Sequence, residues 1–94
     1  MEFDWDPAKN VANQKKHKIS FIAAITVFDD PFVISEDSTR PEYGEIRNKA
    51  IGTMHDGRLV AVIYTDRGSR RRIISARKAR DNERREYDQG KTTS

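Results

Sequence analysis

Arg58–Thr65, reading RLVAVIYT, constrains the fold more than any other stretch. It packs β-branched and aromatic residues into one uninterrupted run, the composition of a central strand. A tight turn brackets it on each side. His55-Asp56-Gly57 precedes it as a tight hairpin, with Asp-Gly supplying the positive φ angles. Asp66-Arg67-Gly68-Ser69 follows it as a second turn. Short turns join antiparallel neighbours, so the chain must contain a meander with this strand inside it.

The neighbours follow from that centre. Phe32–Glu36 and Glu45–Thr53 read as the first and second strands, separated by the loop DSTRPEYG at 37–44. Arg70 to Ser75 or Arg77 reads as the fourth. Upstream, Phe3 and Trp5 alternate as a short extended lead-in. Asp6 is suited to cap a helix, and Pro7 fits its first position, so a helix is expected over Pro7–His17 with Val11 turned inward. Ser20 opens a second, buried helix over Phe21–Phe28, stopped at Asp29-Asp30-Pro31 because the residue before a proline avoids helical geometry. A last helix runs from about Lys78 to Gln89 and ends at Gly90. The expectation is one α+β domain over residues 1–90, ordered α-α-β-β-β-β-α. Two N-terminal helices cover one face of a four-stranded antiparallel sheet, and a disordered tail follows over 91–94.

Charge narrows the function. The net +3 of the 94 residues hides a block: residues 67–85 hold nine Lys/Arg and two Asp/Glu, whereas residues 1–66 sum to −3. The excess is mostly arginine, whose planar fork suits phosphate oxygens, and so points to a polyanion such as RNA. A solvated basic helix or a surface for an acidic protein would give the same composition. The absence of cysteine excludes disulfides and thiolate metal sites, which fits a reducing, cytoplasmic setting. No apolar run approaches the length of a membrane span, and two distant histidines are a weak zinc signal, so neither membrane nor metal is expected.

Strand parity sorts the polar residues. Ile46 and Ala50 share one face of the second strand; Glu45, Arg47 and Lys49 share the other. In the fourth strand Ile74 and Ala76 oppose Arg71, Ile73, Ser75 and Arg77. With the small and apolar set facing the helices, one sheet face collects Glu45, Arg47, Lys49, Arg71 and Arg77. Metal-free RNA cleavage needs those groups: a base for the 2′-hydroxyl proton and cations for the charge that grows on phosphorus. Glu45 suits the base, and Arg47 and Arg77 the clamp. The same face would equally serve as a surface laced with ion pairs. His17, ending the first helix beside Lys16, is a second acid–base candidate, although a helix C-terminus alone accounts for a histidine there. Arg70, Arg71, Arg72 and Arg80 are candidates for holding the RNA backbone, with Lys16 and Lys49.

Five stretches together resemble the BrnT family of bacterial toxins. They are WDPAKNVANQKKHKISF at Trp5–Phe21, VFDDP at Val27–Pro31, EIRNKAIG at Glu45–Gly52, RLVAVIYTDRG at Arg58–Gly68, and RRIISARKARDNERREYD at Arg71–Asp88. The resemblance implies a RelE-like ribonuclease fold and the toxin half of a type II toxin–antitoxin pair. It implies metal-independent endoribonuclease activity that arrests translation and growth, with no cofactor. The implied partner is a BrnA-like ribbon-helix-helix antitoxin, and operator DNA would be reached only through it. The alternative is a non-catalytic module that binds nucleic acid or a partner. Carried over position by position, the resemblance points to Glu45, Arg47 and Arg77, and to Lys16-His17. The family usually has glycine after Lys-His; here Lys18 stands there, at a position suited to a left-handed cap.

Overall fold

In a computed structural model, which describes residues 1–93, the chain forms a five-stranded sheet with helices on both faces. The strands are β1 (Glu2–Trp5), β2 (Ile34–Asp37), β3 (Asn48–Thr53), β4 (Leu59–Arg67) and β5 (Arg70–Lys78). The helices are α1 (Pro7–His17), α2 (Phe21–Ala24) and α3 (Asp81–Thr93). Short 3₁₀ turns cover Ile25–Asp29 and Pro41–Tyr43. The spatial order is β1-β5-β4-β3-β2. No helix is long and apolar enough to cross a membrane among the described residues.

The antiparallel meander of β2 to β5 forms as expected around a central β4. Two features correct the four-stranded, one-sided layout. The lead-in Glu2–Trp5 is itself a strand, pairing parallel with β5 along its outer edge, so the sheet is mixed. The acids of β1 face the arginines of β5, with Glu2 opposite Arg70 and Asp4 opposite Arg72, and cross-strand charge pairing adds to the backbone ladder. The second correction concerns α3, which covers the sheet face opposite α1 and α2. One core joins Phe21, Val27, Ala50, Val62, Tyr64, Ile73 and Ala76 under the N-terminal helices. A second joins Ile51, Leu59, Ala61, Ala79 and Tyr87 beneath α3.

α1 begins and ends where the sequence places it. Asp6 caps it by accepting from the Ala8 N–H at 2.9 Å, and Pro7 takes the first turn. Lys18 adopts the left-handed conformation itself, at φ 61°, and its N–H closes onto the Gln14 carbonyl at 3.0 Å. Val11 is half exposed rather than inward. The buried residue of α1 is Asn13, which donates to the Ile19 carbonyl and accepts from the Ala76 N–H. A polar anchor thus ties α1 to β5. The expected second helix is α-helical only to Ala24 and tightens into the 3₁₀ turn that reaches Asp29.

α3 does not stop at Gly90 but continues through Lys91 to Thr93; Ser94 lies outside the described residues. Glycine costs a helix about 1 kcal/mol without terminating it. The helix is docked by polar contacts one turn apart. Tyr87 donates to Asp30 at 2.6 Å and lies 3.1 Å from the Thr53 hydroxyl. Burial works against the Asp30 charge, but bonds from Tyr87 and from the Thr53 and Phe32 amides outweigh it and hold the carboxyl below its ordinary value. Four residues earlier, Glu83 supplies the other anchor.

Candidate active site

Glu83 is a carboxylate at the floor of the α3 side of the sheet, with 1% of its side chain exposed. Arg77 on β5 donates to it through Nη1 at 2.8 Å and Nη2 at 2.9 Å. Lys49 on β3 places Nζ 2.7 Å away, and the Arg80 backbone N–H adds a bond at 2.8 Å. The bond from Arg77, with those from Arg80 and Lys49, overcomes the cost of burial and holds the Glu83 carboxyl at about 2, against an ordinary 4.5. The carboxylate is therefore ionised at any physiological pH. Its effect is to fix two long, flexible cations in one orientation. Arg77 and Lys49 remain reachable, with 22% and 19% of their side chains exposed.

Above this floor lies an open basin of about 410 Å³, walled by Thr39, Arg40, Tyr43, Lys49, Arg77 and Arg80. Glu36 borders it through a 3.3 Å pair with Lys49. Counting Glu36 and Glu83, four cations meet two carboxylates, and the excess is positive. Arg77 has five N–H donors, of which Glu83 takes two and the Lys78 carbonyl one. Two donors are left for an anion in the basin.

Glu45 and Arg47 reach this site from its edge. Both precede β3 rather than lying in it. Arg47 lies over the Tyr43 ring, 3.8 Å from its centroid, and pairs with Glu45 at 3.5 Å. Glu45 also accepts from Arg67 at 3.1 Å. That bond, with the charges of Arg67 and Arg47, keeps the Glu45 carboxyl below its ordinary value. Its carboxylate pairs with these two arginines and not with Arg77. Ile46, expected to face the helices with Ala50, is 70% exposed, because this segment has left the sheet.

The other predicted residues separate. A bulge falls where β5 passes Ile63 and Tyr64: Ser75 pairs with Ile63, Ile73 with Tyr64, and Ile74 is the extra residue. Parity reverses across it. Ile73 joins the core beneath the N-terminal helices together with Ala76, and Arg71 follows it to that face. There Arg71 forks onto Asp66 at 2.8 and 3.1 Å and lies over the Phe28 and Tyr64 rings. Arg71 is thus on the face opposite Arg77, contrary to simple alternation. Arg70 pairs with Glu2 at 3.3 Å and Arg72 with Asp4 at 3.5 Å along the β1 edge. His17 and Lys16 lie at the end of α1, away from the basin, and His17 lines a different cavity. Of the predicted residues, the basin gathers Lys49, Arg77 and Arg80, with Arg47 stacked on its wall.

Sequence reading missed Glu83 as a site residue because its position on α3 gives no sign that it is buried. The signal available was its spacing: Glu83 and Tyr87 lie four apart, on one helical face. Tyr43 was missed because it sits in a loop without periodicity.

Comparison with known proteins bears on this arrangement. A family described as "Ribonuclease toxin, BrnT, of type II toxin-antitoxin system" matches residues 5–83. No curated protein matches the sequence. Among solved structures, the crystal structure of the Brucella abortus ribonuclease toxin BrnT is similar, with a TM-score of 0.63 and 26% identity. The match covers 86% of this chain and 99% of that one.

Proposed function

Because the chain belongs to the BrnT family of ribonuclease toxins of type II toxin–antitoxin systems, we propose that it cleaves RNA without a metal, with the scissile phosphate seated in the Lys49–Arg77 basin. Family membership implies endoribonuclease activity and an antitoxin partner. The observation that carries the assignment is the convergence of Arg77 and Lys49 on the buried Glu83. Cations held in place before substrate arrives lose little free energy to reorganisation when charge develops.

In this scheme the 2′-oxygen attacks the adjacent phosphorus and the bond to the 5′-oxygen breaks; that oxygen takes a proton from solvent in the open basin, leaving a 2′,3′-cyclic phosphate on one fragment and a 5′-hydroxyl on the other. The two spare donors of Arg77 and the ammonium of Lys49 meet the extra negative charge on the phosphoryl oxygens. Arg40 and Arg80, on the exposed rim, hold flanking phosphates. Glu45 takes the 2′-hydroxyl proton. It is ionised, partly exposed, and linked to the basin wall through Arg47 and Tyr43. Glu83 is a positioning residue: it acts through Arg77 and Lys49. The antitoxin is a small ribbon-helix-helix DNA-binding protein of the BrnA kind, operator DNA is contacted only through it, and the toxin acts on cytoplasmic RNA to stop translation.

The test uses purified, antitoxin-free protein and a defined RNA. Cleavage in excess chelator, with 2′,3′-cyclic phosphate ends and no cleavage of the 2′-deoxy analogue, is the expected result. Loss of activity on chelation, restored by a divalent ion, would overturn the metal-free scheme. Intact RNA under all conditions would favour a binding module instead.

A further inference from the structure

β5 separates two cavities, and only one is used by the scheme above. Successive strand residues point to opposite faces, so Arg77 lines the phosphate basin while Lys78 lines the other cavity. Their Cα atoms are about 3.8 Å apart. The second cavity, about 400 Å³, lies where the end of α1 and the start of α3 meet β4. Ile19 and Leu59, both buried, contribute its apolar floor. His17, Arg58, Lys78 and Arg84 are its polar groups, and among the described residues no carboxylate lines it. Arg58 is pinned, its Nε on Asp56 at 2.8 Å and its Nη1 on the Lys18 carbonyl at 3.2 Å. Lys78 and Arg84 are exposed and form no ion pair among the described residues.

We infer that this cavity is a ribonucleotide subsite, holding one base of the substrate RNA beside the scissile phosphate. An apolar floor with a fixed guanidinium plane and an imidazole is a surface on which an unstacked base settles. Lys78 and Arg84 meet the phosphate of that nucleotide, and a strand of RNA crossing the end of β5 touches both cavities at once. The inference rests on the ribonuclease reading for its ligand. It gives His17 a binding task in place of proton transfer, and it locates sequence preference in a cavity away from the phosphate chemistry.

The test titrates a 2′-O-methyl RNA trinucleotide, which lacks the nucleophile, into ¹⁵N-labelled full-length protein. Amide shifts at His17, Ile19, Leu59 and Lys78 are expected, and inorganic phosphate alone should not reproduce them. The double variant Lys78→Ala/Arg84→Ala, both on the surface, should bind the trinucleotide about tenfold or more weakly. In parallel, wild-type and double variant are given cleavable RNA, and the double variant should lose preference at one position next to the cut. Shifts confined to the Tyr43–Lys49–Arg77 basin, with unchanged binding by the double variant, overturn the subsite. If wild-type cleaves RNA under that outcome, the subsite alone falls. If the trinucleotide fills the cavity but wild-type leaves RNA intact, the subsite stands and the ribonuclease scheme falls.

Discussion

Arg77 meets Glu83 in a two-pronged bond at 2.8 and 2.9 Å, from the end of a strand to the first turn of the helix that follows it. The pair closes the β5–α3 connection and aims Arg77 in one step. Glu83 lies in the first turn of α3, where a negative charge also interacts well with the helix dipole. In the proposed scheme, stability and catalysis share one carboxylate.

Removing that charge should cost more than a surface pair would. Glu83→Gln leaves Arg77 and Lys49 without their common counter-charge in a largely desolvated place, and a loss of about 2–4 kcal/mol is expected. Urea denaturation of wild-type and variant measures it. A loss under about 0.5 kcal/mol would mean the pair is solvated and worth no more than an exposed one.

The same carboxylate sets an acid limb of stability. Its folded pKa of about 2 lies below the ordinary 4.5, so its contribution is complete above about pH 4.5 and is lost as pH falls toward 2. The expected size is about 3 kcal/mol across that window. Glu83→Gln should flatten this part of the curve. An equal slope in both proteins would place the responsible carboxylate elsewhere.

Much of this was legible beforehand, and the failures have particular causes. The centre of the sheet, α1 with its cap, and the turns at Gly57 and Gly68 follow from local chemistry; Gly57 has the expected positive φ, but Asp56, expected to share it, does not. β1 was read as extended but not as a strand, because four residues carry no sign of a parallel partner 68 positions away. The bulge at Ile74 was invisible: nothing in RRIISARK marks the extra residue, yet it moves Arg71 to the other face. Glu45, Arg47 and Arg77 could be listed together from alternation, but the break before β3 leaves Glu45 paired with Arg67 rather than close to Arg77. Glu83 shows its importance only once α3 is docked.

The cap of α1 offers a clean stabilising change. Lys18 holds φ 61°, a conformation that costs a side-chain-bearing residue about 1 kcal/mol. Lys18→Gly should raise stability by about 0.5–1 kcal/mol, seen as a melting temperature higher by about 3–6 °C. A lower melting temperature would show that the lysine side chain contributes more than its backbone costs.

The pH dependence of cleavage tests the base. Arg67 bonding, with the charges of Arg67 and Arg47, keeps Glu45 below its ordinary 4.5, so it stays deprotonated at every pH above that. The rate limb set by Glu45 should lie below pH 4.5, and Glu45→Gln should lower the rate by about 10²-fold or more. A limb at higher pH that survives in Glu45→Gln would show that Glu45 is not the base.

Single-turnover cleavage of one RNA by wild-type, Arg77→Lys and Arg77→Ala, each verified as folded, tests the central claim most directly. If Arg77 carries the developing charge, Arg77→Ala should slow the chemical step by about 10²–10³-fold. Arg77→Lys should recover only part of this, because an ammonium cannot reproduce the fork that binds Glu83 and a phosphate together. Cleavage by folded Arg77→Ala at the wild-type rate, at the same positions in the RNA, would contradict the account.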